Sequence, residues 1–308
     1  MPRIALVTYR PGPDMPVDRD LPLLAEELRR TGADADVLAW DDPAVDWAAF
    51  DLVVVRSTWD YSWRRDEFLE WAARCADVTR LANPVDVLRW STDKRYLGEL
   101  ARHGVPTVPT SYVALGDVPE LPADGPYVIK PTSGAGARYA ARYTQDERDV
   151  ALRQVARMHA EGLTAMVQPY VEGIDESGER AVLFYGGRFL HAIRKGAVLT
   201  AGVAYDERKV AHPSLEPWEP TAAELAVAEQ ALAAVPGGPD RLLYARVDLV
   251  DGADGRPCVM ELELVEPNLF LSAAHPASAP VVAEAIAKAA GAQAAEPSSA
   301  TSAAAART

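Results

Sequence analysis

The chain has 308 residues with 31 Lys and Arg against 45 Asp and Glu, a formal charge of −14 at pH 7, which argues against affinity built on phosphate neutralisation and so against nucleic acid as a partner. Its 49% apolar and 25% charged residues suffice for ordinary cores, and at roughly 150 residues per domain about two compact units are expected. The N-terminus lacks a signal-peptide pattern and no apolar run reaches the roughly 18 residues of a membrane helix, while Cys75 and Cys258 supply neither a disulfide framework nor a zinc set; the expectation is a reduced, cytoplasmic protein without membrane contact.

Residues 3–9, R-I-A-L-V-T-Y, are apolar and β-rich, and after a Pro-rich loop residues 21–31 have helical spacing that stops at Gly32. Residues 35–40 and 51–56 read as two further strands, the last with a β-branched centre suited to burial on both faces. The opening is therefore α/β of the Rossmann-like sort. No G-x-G-x-x-G follows the first strand, which disfavours NAD. Residues 68–76 predict a helix, Asn83-Pro84 breaks the chain, and Ser91 or Thr92 caps a helix to about His103, a C-terminal cation before Gly104. An α+β stretch follows: strand 127–130, helix 146–161, strand 165–170, and a hairpin of 180–185 and 188–194 around Gly186-Gly187. A helix over 221–235 leads to strands 243–250 and 257–264, antiparallel around D-G-A-D-G-R. Beyond Gly291 the Ala, Ser and Thr residues predict a disordered tail, 292–308.

The strongest chemical signal is acidic. Glu261 and Glu263, at i and i+2, share one strand face, and hairpin pairing can bring Asp248 beside them. Close carboxylates repel by roughly 1 kcal/mol or more per pair, which a shared divalent cation relieves; Mg²⁺ takes hard oxygen ligands and leaves positions for phosphates. The alternative is a solvated strand face. Lys130 leaves its strand into P-T-S-G-A-G-A, whose small residues can close backbone N–H groups over oxyanions, though it is no Walker A sequence. Lys94 offers a second cation. In M-V-Q-P-Y-V-E-G, 166–173, the strand exit offers backbone to a purine edge, and Glu172 or Glu179 can accept from ribose hydroxyls. R-S-T-W-D-Y, 56–61, follows the third strand, where open α/β sheets place ligands. There Arg56 suits a carboxylate, Thr58 and Tyr61 suit hydrogen bonds and Asp60 suits an ammonium, unless the aromatics simply cover the sheet end. Arg194 and Lys195 end a strand, either as stabilisers of a transferring phosphoryl group or as exposed bases. Glu266 to Asn268 lie close enough to line a substrate pocket.

Taken in order, lysine, lysine with a small-residue loop, strand hinge, Asp and Glu-x-Glu, the sequence resembles the ATP-grasp family over roughly residues 83–291. The resemblance implies a Rossmann-like substrate-side domain (1–92), a small α+β subdomain with a phosphate-covering loop (93–175) and a C-terminal α+β subdomain with a metal site (176–291). It also implies ATP and Mg²⁺, with an acyl phosphate formed on a carboxylate and attacked by an amine. Carried over, Lys94 and Lys130 are the phosphate lysines, Ser133, Gly134, Ala135 and Gly136 belong to the mobile loop, Gln168, Pro169, Tyr170 and Val171 with Glu172 form the adenine hinge, and Glu179 is the ribose acceptor. Asp248, Glu261 and Glu263 are the metal ligands, although the family usually has Asn where Glu263 stands. Lys130, Arg194 and Lys195 become catalytic, and Arg56, Ser57, Thr58, Asp60, Tyr61 and Asn268 bind substrate. D-R-D-L-P-L-L (18–24), R-S-T-W-D-Y and H-A-I-R-K (191–195) are similar to a subgroup containing the O-ureido-serine cyclo-ligase of cycloserine biosynthesis. That similarity implies a small amino-acid-like carboxylate, and a homodimer is the default assembly. The alternatives are a non-catalytic nucleotide sensor and a carboxylate kinase that releases its acyl phosphate.

Overall fold

In a computed structural model of the chain, which describes residues 1–12, 15–205 and 214–291, the first sheet is parallel and reads β2–β1–β3–β4. Its members are β1 (Arg3–Thr8), β2 (Asp34–Ala39), β3 (Leu52–Ser57) and the two-residue β4 (Leu81–Ala82). β3 is buried along its whole length, as a branched apolar run between two covering layers requires. Helix α1 (Asp20–Arg30) covers one face through Leu21, Leu24 and Leu28. Helix α2 (Arg65–Val78) covers the other, where Phe68 and Trp71 meet Trp40 edge-on.

Where the sequence predicts one helix from Ser91 or Thr92 to about His103, the structure has two, α3 (Val85–Ser91) and α4 (Tyr96–Arg102). Pro84 sits at the N-cap of α3, and its fixed φ starts a helix rather than merely breaking the chain. The Thr92 hydroxyl donates back to the Arg89 carbonyl at 3.0 Å, closing α3 instead of opening α4.

The second sheet is antiparallel, β5–β8–β6–β7, from β5 (Ser111–Val113), β6 (Tyr127–Pro131), β7 (Ala141–Tyr143) and β8 (Ala165–Pro169). Helix α5 (Arg148–Ala160) seals it with Ala151, Val155 and Met158. A single-turn α6 (Ile174–Ser177) leads into the third sheet, β11–β10–β9–β12–β13. Its strands are β9 (Glu179–Tyr185), β10 (Arg188–Lys195), β11 (Leu215–Trp218), β12 (Tyr244–Asp251) and β13 (Pro257–Glu263). The β9–β10 hairpin turns at Gly186 and Gly187 with φ of 56° and 76°, a conformation that glycine adopts without a Cβ clash. Helix α7 (Ala222–Ala233) opens with a capping box: the Glu224 N–H donates to the Thr221 hydroxyl, and the Thr221 N–H donates to the Glu224 carboxylate. Helix α8 (Ser278–Gly291) returns to α1 and packs Val282 and Ile286 into the same core as Leu24 and Leu28. The predicted tail, 292–308, lies outside the described residues, and among those described no helix is long and apolar enough to cross a membrane.

Asn83 joins the first sheet to the third. It is fully buried; its Nδ2 donates to the carbonyls of Tyr244 and Leu264 at 2.9 Å each, and its Oδ1 accepts from the Leu243 N–H at 2.8 Å. Asn83→Ala would strand these three backbone groups, so a stability loss of about 3 kcal/mol or more is expected. The measurement is the urea midpoint at unchanged slope; a loss well under 1 kcal/mol would show that water takes over the lost contacts.

Candidate active site

The site follows from strand register. β12 and β13 pair antiparallel so that Asp248 stands opposite Glu261 and Arg246 opposite Glu263, while β9 and β10 set Glu179 opposite Lys195. Side chains alternate along a strand, so residues two apart share a face, and this face of the third sheet carries charge of both signs. It forms part of the wall of a cavity of about 710 Å³, which is also lined by Lys94, Val128 and Lys130, the 134–138 loop and residues 168–171. At its entrance to β9, Gly178 has φ +71°, and a Cβ there would lie 2.6 Å from the Lys195 carbonyl oxygen, so glycine alone lets the backbones close at this end.

The buried charges neutralise one another. Asp248, 1% exposed, accepts from Arg246 Nε and Nη2 at 2.8 Å each and from Lys195 Nζ at 2.7 Å. Lys195 also pairs with Glu179, Arg246 with Glu263, and Lys94 with Glu261 at 3.1 Å. Burial works against ionisation of Asp248, yet Arg246 and Lys195 hold its carboxyl well below the usual range. Burial pushes Glu179 up to about 7, with the Asp248 charge adding to the rise and Lys195 opposing it. Burial likewise raises Glu263 against the pull of Arg246. The Lys130 ammonium makes no hydrogen bond or ion pair among the described residues; burial depresses it, and the Glu261 charge opposes that. It is a cation facing the cavity without a paired carboxylate.

The expected trio of metal ligands is only partly assembled. Among the described residues no group of three or more His, Cys, Asp or Glu side chains is placed to hold a metal ion, and Asp248 has both oxygens engaged by Arg246 and Lys195. Glu261 and Glu263 differ: each pairs through Oε1 alone, and each side chain is 23% exposed. Two hard, cavity-facing oxygens on one strand face fit a divalent cation such as Mg²⁺.

Other sequence expectations divide by strand geometry. Arg194 precedes Lys195 and so projects to the opposite face, where it pairs with Glu216 at 2.7 Å and is 37% exposed; the catalytic role expected of it is not supported. Lys195 is inside. Lys94, Lys130, Gly134, Ala135, Gly136, Gln168, Pro169, Tyr170, Val171, Glu179 and Asn268 all line the cavity. Glu172 instead faces solvent, and Ser133 accepts from Arg65 Nη1 at 3.3 Å behind the loop.

The substrate set expected at 56–61 is taken up by packing. Arg56, 1% exposed, donates to the Pro267 carbonyl at 3.0 Å. Ser57 donates to Thr8 Oγ1, and Thr58 is buried with no partner for its hydroxyl among the described residues. Asp60 is held by Trp40 Nε1 at 2.9 Å and by Arg64, and Tyr61 packs on Phe68. Of this segment Trp59 lines the cavity. Sequence reasoning missed Arg246. The signal was available, since Arg246 and Asp248 in R-V-D-L-V have the same i, i+2 spacing that singled out the two glutamates.

Arg246→Met would leave Asp248 and Glu263 buried without their shared cation, at a cost of about 3–5 kcal/mol. Arg194→Ala would cost under about 1 kcal/mol, since its pair is exposed. Chemical denaturation of the two variants checks the contrast, and equal losses would refute this assignment of inside and outside.

Comparison with known proteins bears on the family and the fold. A family model described as the N-terminal domain of the D-cycloserine synthetase DcsG matches residues 4–83. The cycloserine biosynthesis protein DcsG of Streptomyces lavendulae is 41% identical over 284 residues, covering 87% of this chain and 93% of that protein. The crystal structure of the D-cycloserine synthetase DcsG superposes with a TM-score of 0.82 at 38% identity, covering 94% of this chain and 99% of the other. The ATP-grasp ligase PsnB, solved with a phosphomimetic variant of its minimal precursor, Mg and ADP, has a TM-score of 0.60 at 19% identity, covering 92% and 98%, a likeness of fold.

Proposed function

Because this chain belongs to the DcsG family of ATP-grasp ligases, we propose that it closes a ring within a small amino-acid-like carboxylate of the O-ureidoserine type, at the expense of ATP, to give cycloserine. The observation that carries the reading is the convergence of Lys94, Lys130, Lys195 and Arg246 with Glu179, Asp248, Glu261 and Glu263 on one cavity. Three lysines oppose the triphosphate charge, and the unpaired Lys130 is the one with an anion still to acquire. Gly134, Ala135 and Gly136 cover the phosphates. The apolar wall of Val128, Tyr170, Val171, Ile174 and Met260 takes the purine, and Glu179 takes the ribose. In this reading residues 1–92 and 266–272 supply the substrate side, 93–175 the nucleotide cover and 176–291 the charged sheet.

Mg²⁺ held by Glu261 and Glu263, with Asp248 behind them, would neutralise charge on the transferring phosphoryl group. The substrate carboxylate oxygen forms a bond to the γ-phosphorus as ADP leaves. The ureido nitrogen bonded to the side-chain oxygen then bonds to the acyl carbon and gives up its proton as phosphate departs, and water removes the carbamoyl group that nitrogen carried, as CO₂ and ammonia, to leave the cycloserine ring. Arg246, fixed by two carboxylates and directed along the cavity wall beside Asn268, stabilises the oxyanion that develops at that carbon. The acyl phosphate is already activated, so positioning supplies most of the remaining catalysis.

Incubation with ATP, Mg²⁺ and O-ureidoserine of either hand should release ADP and cyclised product together, with no second amine required. Arg246→Lys keeps the charge but loses the planar fork and should lower kcat by about 100-fold with ATP affinity retained. Dependence on an added amine would replace ring closure by intermolecular ligation. A hydroxamate formed with hydroxylamine, in place of a ring, would favour the kinase, and ATP binding without turnover on a broad acid panel would favour the sensor.

A further inference from the structure

The segment that follows β13 is held by its main chain, one residue after another, by side chains from four separate elements. Arg56, at the end of β3, donates to the Pro267 carbonyl at 3.0 Å, and Arg246 of β12 donates to that of Asn268 at 3.3 Å. His191 of β10 places Nε2 2.8 Å from the Leu269 carbonyl; a carbonyl only accepts, so Nε2 carries the proton. Asp20, at the first residue of α1, accepts from the N–H groups of Leu271 at 2.9 Å and Ser272 at 3.1 Å. Within the segment, Asn268 Oδ1 accepts from the Phe270 N–H at 2.9 Å.

Phe270 lies at the centre of these contacts with φ +53°, a left-handed conformation unfavourable for a residue with a bulky side chain. Such strain persists where the surroundings over-determine the backbone. Here the amides on its C-terminal side are fixed by Asp20 and the carbonyl on its N-terminal side by His191. The outcome concerns the cavity: Phe270 lines it, the Arg246 guanidinium carbon stands 5.4 Å from the Phe270 ring centroid, and Asn268 lines the same wall. Asp20 is 4% exposed and borders the cavity with both carboxylate oxygens taken by these two amides, and His191 does not line it.

From this we infer that Asp20 and His191 are positioning residues for the acid substrate: they hold the 268–272 segment in its strained form, so that Asn268 and Phe270 present one fixed surface beside Arg246. The inference rests on the function proposed above for what the acid is, and on geometry alone for the clamp. Two measurements keep these separable. In steady-state kinetics with O-ureidoserine, Asp20→Ala should raise the KM for the acid at least 10-fold and leave the KM for ATP within twofold. Asp20→Asn retains one acceptor and should fall between wild type and Ala, which also covers the case in which Ala fails to fold. His191→Gln can still donate and should be milder than His191→Ala. In hydrogen exchange, peptides spanning 266–274 should lose protection in Asp20→Ala and His191→Ala while β12 and β13 keep theirs. Equal rises in both KM values, or an acid KM within twofold of wild type, would overturn the positioning role. If wild type turns over no acid, the functional reading fails, and exchange still decides the clamp: unchanged protection at 266–274 would refute it, and a local loss would uphold it.

Discussion

Burying charge is the constraint around which this molecule is organised. Lys94, Lys195, Arg246 and Asp248 are each less than a tenth exposed; at these depths an isolated lysine or aspartate would sooner change protonation than remain charged, and Arg246, which keeps its proton, needs a partner. Each is therefore tied to an opposite charge, and those ties cross strand boundaries: Lys195 on β10 to Asp248 on β12, Arg246 on β12 to Glu263 on β13, and Lys94 before α4 to Glu261 on β13. Replacing such a network by apolar residues is often neutral or stabilising, so stability is a weak reason for its presence. A cavity whose donors and acceptors are already oriented, as the proposed binding of ATP and Mg²⁺ requires, is a better one.

The three sheets divide that task. The third sheet supplies a surface on which register alone fixes the spacing of acids and bases. The second sheet brings Lys130 from β6 and the exit of β8 over it, and the small-residue loop is anchored where Lys94 Nζ donates to the Gly134 carbonyl at 2.6 Å. From R-S-T-W-D-Y the first sheet brings Trp59 to the cavity wall. It also contributes through Arg56 and the start of α1, which grip the main chain of the segment after β13. This is an indirect route, and it accounts for a buried arginine at a strand end with one backbone carbonyl as its hydrogen-bond partner.

Much of this was legible in the chain. The β-branched centre of β3, the glycine pair between β9 and β10 and the helical run from 221 are local signals, and each of these elements lies within one or two residues of its expected place. β4, β5, β7 and β11 carried no such signal, because two to four residues are too few to show a period. Helix α8 is so rich in alanine that its inward stripe is faint in sequence, and only its packing on α1 makes it evident.

At the site, the sequence by itself determined which ionisable residues share a face, since alternation along a strand follows from backbone geometry: Glu261 with Glu263, Arg246 with Asp248, and Lys195 opposite in sense to Arg194. Tertiary structure decided which face is inside, and so sent Lys195 to the cavity and Arg194 to Glu216. It also decided that Asp248 gives both oxygens to cations, and that Arg56 holds the Pro267 carbonyl across 211 residues of chain. Period and spacing are properties of neighbours along the chain. Burial and pairing depend on which distant segment arrives to compensate a charge, and no local pattern encodes that.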